Sequence, residues 1–346
     1  EFLKKESIKN GLTYMQDNVS NVILDSHDFI SEIKLSSGKN ISGDIFLDCT
    51  GFNSVLFKKT YDINWVHLDN ILPNNNGVVI RKNYTNPQEE CHPYTNAKTM
   101  KAGWRWSIPT YDDMSYGYVY SDKFIDKDTA EKELRESINE WDQPALHVPF
   151  NAGIRNKIAY KNAYAIGITA GFIEPLEATG LAYTTSVLSL LLEELTNNNL
   201  ILNETINDSI NSRIEPKSIE LIHFIFTHFY ACHRQDSLYW QDMKTREVPE
   251  SLKKFINVFS EPLSLIKFRH LMETIGYDVT RDRPMFLQGH WWQLLQGCNW
   301  YKDYKQEYDT DFIAYSKLKL DIQTYQTNKF LETFPNHYDF LTEWYK

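Results

Sequence analysis

The sequence predicts a mixed α/β (α+β) fold, and three observations predict it. Short β-rich runs separated by turn clusters fill the chain to about residue 121, two buried runs end in glycine turns, and helical stretches take over from about Asn203.

The elements follow in chain order. Residues 1–9 read as a helix end stopped by Asn10-Gly11. Residues 12–15, 19–24, 29–35 and 44–47 read as strands, with turn clusters at 25–28 and 36–40, so a β-meander feeds a buried strand. That strand stops at Asp48-Cys49-Thr50-Gly51, either as an ordinary strand exit or as a place where glycine lets backbone approach a cofactor. Alternation at 78–81, 103–108 and 116–120 predicts a second, antiparallel sheet. Residues 128–141 read as a helix with Ala130, Leu134 and Ile138 on one face. Residues 164–168 read as another buried strand, 167–180 as its loop and 181–195 as a long apolar helix; further helices are expected near 214–232, 250–259, 284–297 and 310–327. The expected division is 1–60 with 150–200 as one module, 61–149 as the antiparallel sheet and 201–346 as a helical cap.

The 346 residues are enough for a full core. Twenty-one Tyr, nineteen Phe and nine Trp favour an aromatic-lined pocket over routine packing alone. The net charge of −10, with no basic cluster, argues against a nucleic-acid binder. Cys49, Cys91, Cys232 and Cys298 form no C-x-x-C pair, which suggests neither a zinc cage nor a disulfide framework and points to a reducing, cytoplasmic compartment. No apolar run is long enough to predict a membrane span. His223, His228 and His233 are spaced by five, which turns successive rings by about 140° and denies them a common ligand face, so no metal site is expected.

Residues 171–180 read Gly-Phe-Ile-Glu-Pro-Leu-Glu-Ala-Thr-Gly and run into the apolar helix. Amides at Thr179, Gly180 and Leu181 would stand at the positive end of its dipole, a setting for an anion or an electron-rich cofactor edge, with Glu177 alongside. Such an acidic turn can equally serve only to stabilise the helix. Trp104 and Trp106, two apart on a strand, share one face, with Arg105 and Ser107 on the other.

Four segments carry a family resemblance. Residues 162–180, ending in Glu177-Ala178-Thr179-Gly180, resemble the segment of flavin-dependent tryptophan halogenases that ends in their Glu-Ser/Ala-Thr-Gly signature. Trp104-Arg105-Trp106-Ser107-Ile108-Pro109 matches their W-x-W-x-I-P motif; residues 44–52 and 117–121 resemble the neighbouring strand segments, and the likeness covers roughly residues 1–300. The resemblance implies an FAD-binding, p-hydroxybenzoate-hydroxylase-like fold and a flavin-dependent halogenase using FADH2, dioxygen and halide on an indole or other electron-rich aromatic. It implies Glu177 as the active-site glutamate, Thr179 and Gly180 as halide-holding positions, and Gly51, Gly167, Ile168 and Leu181 as flavin contacts. Trp104, Trp106, Ile108 and Pro109 are the hallmark associated with keeping the flavin on halide oxidation. A separate flavin reductase supplies the reduced cofactor by this reading, and a homodimer is the candidate assembly. Ala178 stands where many members have Ser, and residues 286–293 resemble the family's last helix without its tryptophan-gripping Tyr-Tyr and acidic set. The family's G-x-G-x-x-G and catalytic lysine lie N-terminal to the matched region and do not occur here, so the chain, opening on Glu1, reads as the larger part of a longer enzyme. The rival readings are an FAD-dependent aromatic monooxygenase or hydroxylase, and a non-catalytic aromatic-binding fragment.

Overall fold

The computed structural model describes residues 2–258, 265–300 and 310–344. The chain divides into two units: Glu1–His67, Gly153–Ile222 and Ile275–Met285 form the first, and Leu68–Ala152, His223–Thr274 and Phe286–Lys346 the second.

The first unit opens with the helix Phe2–Lys9, which the chain leaves through Gly11. Strands Val19–Leu24, Ile30–Leu35 and Asn40–Ile41 follow as an antiparallel meander. Residues 12–15, expected as a strand from their β-rich composition, form none: Leu12, Tyr14 and Met15 are exposed and no ladder takes up the segment. Phe46–Asp48 pairs in parallel with Ala163–Ala165, which also forms a hairpin with Ala159–Tyr160. Phe46 and Asp48 are buried with Leu47 exposed between them, whereas all three residues of the partner strand are buried. Trp65–His67, Gly153–Arg155 and Gly171–Phe172 make a third small sheet.

The helix Thr179–Asn197 buries Tyr183, Val187, Leu190, Leu191 and Leu195. The long helix Glu204–Ala231 begins ten residues before the expected start and runs straight through Pro216. Tyr183 Oη and Ser218 Oγ lie 2.9 Å apart and join the two helices. Arg213 also joins them, donating to Glu193 at 2.9 Å, to Glu194 at 2.7 Å and to Asp282 at 2.7 Å.

The second unit is built on a five-stranded antiparallel sheet. Its order is Ala145–Pro149, Asn76–Asn83, Asp113–Tyr120, Gly103–Pro109, Asn96–Met100. The expected sheet is therefore present, with edge strands at 96–100 and 145–149 added. The helix Lys127–Ile138 starts at Asp126, whose carboxylate accepts from the amides of Asp128 and Thr129. Ala130, Leu134 and Ile138 pack on Val78, Ile80, Tyr118 and Tyr120 as the periodicity requires.

Later helices span Leu238–Thr245, Glu250–Val258, Leu265–Thr274, Gln288–Gly297, Thr310–Leu331 and His337–Trp344. The expected helix over 250–259 keeps its start, its last residue lying outside the described residues, and that over 284–297 begins only at Gln288. Among the described residues no helix is long and apolar enough to cross a membrane.

Candidate active site

The parallel strand pair positions the first part of the site. Both strands end in a glycine held at positive φ, Gly51 at +62° and Gly167 at +64°, a conformation that a side chain would strain. The buried Asp48 carboxylate organises the first turn by accepting from the Thr50 amide at 3.0 Å, Thr50 Oγ1 at 2.5 Å and the Leu56 amide at 2.8 Å. Thr169 Oγ1 donates to the Gly51 carbonyl at 3.1 Å and ties the two turns together. The two glycines leave backbone open to close approach at the carboxyl ends of these strands.

Beside the second turn lies a cavity of about 520 Å³. Gly167, Ile168, Phe172, Glu174, Thr179, Gly180 and Leu181 are among its lining residues. Ile168 is 41% and Leu181 80% exposed, so apolar side chains stand uncovered on its wall. Thr179 is the first residue of its helix, and Ala178 before it has no side chain that caps. Glu177 and Ala178 are both left-handed, at φ +65° and +51°. Two consecutive non-glycine residues in this region cost on the order of 1–3 kcal/mol each, and strain of this kind gathers at functional turns.

The two carboxylates of this turn differ. Glu174 is buried at 4% exposure and lines the cavity; Glu177 is exposed and is not among the lining residues. The sequence singles out Glu177 through the motif, and nothing in the spacing marks Glu174 as the cavity wall.

In the second unit, the Trp104 and Trp106 rings lie on one face of their strand, 5.8 Å apart and tilted by 55°. Arg105 donates to Ser107 Oγ at 2.5 Å on the opposite face, as the alternation predicts. Ile108 and Pro109 complete the strand, Ile108 39% exposed.

The profile of the tryptophan halogenase family matches residues 1–310. The chain belongs to the tryptophan halogenase family. Among its relatives, tryptophan 6-halogenase SttH of Streptomyces toxytricini is 31% identical over 258 residues, 74% of this chain and 49% of that protein. The 7-chloro-L-tryptophan 6-halogenase KtzR of Kutzneria is 29% identical over 265 residues, 76% of this chain and 51% of its own length. The chain thus spans about half the length of the curated relatives it matches. The solved tryptophan halogenase of Shewanella frigidimarina superposes with a TM-score of 0.87 at 23% identity, over 99% of this chain and 64% of that one. The mixed α/β fold is accordingly that of the flavin-dependent halogenases.

As a tryptophan halogenase family member, the chain offers a flavin two matching features. Exposed Ile168 and Leu181 suit the faces of a flat apolar ring, and the glycine turns leave backbone accessible beside it. The histidines of the family member's long helix are separately engaged. His223 Nε2 lies 2.9 Å from Ser251 Oγ, burial pushing its pKa down to about 4, and His228 Nδ1 lies 2.9 Å from the Phe224 carbonyl oxygen. No group of three or more His, Cys, Asp or Glu that could hold a metal occurs among the described residues.

Proposed function

We propose that this chain serves flavin-dependent halogenation, in which reduced FAD, dioxygen and halide are used to halogenate an indole or other electron-rich aromatic. The observation that carries the reading is the cavity in which exposed Ile168 and Leu181 stand beside the uncapped start of the Thr179–Asn197 helix. Bound FAD supplies the activation of dioxygen that turns halide into an electrophile. The protein's part is binding and electrostatics.

Gly51 and Gly167 would let backbone approach the cofactor, and Ile168 with Leu181 would hold its ring. Thr179 and Gly180 hold the halide through amides at the positive helix end, where an anion gains from both hydrogen bonds and the dipole. Glu177 stabilises the cationic ring that forms as the arene is attacked, a charge absent from the ground state. Trp104 and Trp106, with Ile108 and Pro109, form the aromatic wall that keeps flavin chemistry on halide oxidation. Residues 1–60 with 150–200 serve as the flavin module, 61–149 as the substrate-side sheet and 201–346 as a substrate cap. A separate reductase delivers reduced flavin, the enzyme works in the cytoplasm, and a homodimer is its candidate assembly.

The test is product analysis of the protein at its natural full length, with FAD, a flavin reductase, NADH, indole and either bromide or no halide. Bromoindole formed only with bromide is the expected result. Hydroxyindole formed irrespective of halide would instead establish a monooxygenase, and absence of both product and bound flavin would leave an aromatic-binding protein.

A further inference from the structure

Cys232 and Cys298 take no part in the site, and both stand at helix ends in the second unit. Cys232 directly follows the helix Glu204–Ala231, and Cys298 is the C-terminal cap of Gln288–Gly297. Their surroundings bring the two ends together. The rings of Tyr230 and Trp300, two positions before one cysteine and two after the other, are 6.2 Å apart, and the Lys244 ammonium donates to the Tyr230 carbonyl. Lys244 is within electrostatic reach of both sulfurs. Burial raises the Cys298 thiol above its ordinary value, and the nearby Cys232 adds to that rise. Both cysteines are half-buried free thiols, whereas Cys91 is buried and Cys49 exposed.

We propose that Cys232 and Cys298 form an oxidation-sensitive dithiol that closes to a disulfide when hydrogen peroxide is the oxidant. The Cys232 thiolate attacks one peroxide oxygen and the O–O bond breaks; the departing hydroxide takes up a proton and leaves as water, and Cys232 becomes a sulfenic acid. The Cys298 sulfur, losing its proton, then attacks the Cys232 sulfur; the S–S bond forms, the S–O bond breaks, and a second water leaves. Two thiols lose two electrons, and one peroxide is reduced to two waters. Cys232, beside both Lys244 and Arg234, is the attacking sulfur. The raised Cys298 thiol makes it the resolving partner. Both residues sit at helix ends, and a bridge requires a Cα separation of up to about 7 Å. The product is a staple between the ends of two helices.

The experiment starts from reduced, desalted protein treated with a small excess of hydrogen peroxide and then denatured for thiol counting and peptide mapping. The four thiols of the chain should fall to two, with a linked Cys232–Cys298 peptide pair about two mass units lighter than its separate parts and reopened by dithiothreitol. In Cys298→Ser the link should be missing and the Cys232 sulfenic acid should be trapped by dimedone. Retention of all four thiols overturns the proposal. So does a bridge to Cys49, a bridge between molecules, or conversion of Cys232 to sulfinic acid while Cys298 stays reduced. The wild-type measurement decides alone, so a poorly folding variant does not blunt the test.

Discussion

Trp106 and Gly117 face each other across neighbouring strands, and the indole fills the space that a side chain at Gly117 would need. A Cβ placed there would lie 1.9 Å from Trp106 Cζ2. The motif tryptophan is thus seated by a glycine on the next strand. We expect Gly117→Ala to lower stability by about 1–3 kcal/mol, the usual cost of overpacking, because the ring must leave its place. Gly77→Ala in the same sheet is the control, since its new methyl meets nothing closer than 3.7 Å. Thermal denaturation of the two variants checks this: equal melting temperatures would show that Trp106 yields freely.

Arg213 neutralises two buried acids, Glu194 and Asp282, whose side chains are each only 6% exposed. Arg213→Ala leaves both without their main partner and should cost about 3–5 kcal/mol, the penalty of breaking a buried pair. Desolvation alone would raise the Glu194 carboxyl, but Arg213, Ser209 and Arg281 hold it below its ordinary value of 4.5. A carboxylate depressed on folding contributes stability above its unfolded pKa and loses it as pH falls through the folded one. Stability should therefore drop below pH 4.5, and more gently in the variant. Denaturant midpoints measured against pH will show whether the two slopes differ.

His223 gives a separate signature at higher pH. Burial lowers its pKa from 6.5 to about 4, so the folded state holds the neutral ring where the unfolded chain takes a proton. Its contribution is full above pH 6.5 and is lost as pH falls from there toward 4, at no more than about 1.4 kcal/mol per pH unit. His223→Gln should flatten the stability profile in that window. An unchanged profile would mean that the ring is protonated in the fold.

The antiparallel sheet at 76–120, the Trp104–Trp106 face and the Ala130–Leu134–Ile138 stripe were legible because period-2 and period-3.6 patterns are local and each found a buried partner. Residues 12–15 are β-rich as well, but composition alone cannot supply a neighbouring strand. The expected helix at 214–232 already contained Pro216 but missed the first ten residues of Glu204–Ala231, a stretch that tertiary partners such as those of Arg213 hold in place. At the site the motif identified the turn. The difference in burial between Glu174 and Glu177 goes with two left-handed residues that are neither Gly nor Asn, and no propensity announces them.

For Glu177→Gln in the full-length protein we expect halogenation to fall by roughly 100-fold or more while flavin binding is retained, because charge is removed at the reacting centre and shape is kept. Single-turnover product yield with pre-bound flavin separates the two effects. Turnover close to wild type would remove Glu177 from the chemistry.

The central claim is that backbone amides at the start of the Thr179–Asn197 helix, rather than a cationic side chain, hold the halide. Its most direct measurement is the bromide dependence of steady-state bromination in Thr179→Ser and Thr179→Pro, each checked for retained flavin. Serine keeps both amide and hydroxyl, whereas proline deletes one donor and disfavours the left-handed geometry of Ala178 before it. The account predicts little change in the bromide concentration giving half-maximal rate for the serine variant and a marked increase for the proline variant. Identical bromide curves for both variants and wild type would contradict it and place the anion elsewhere.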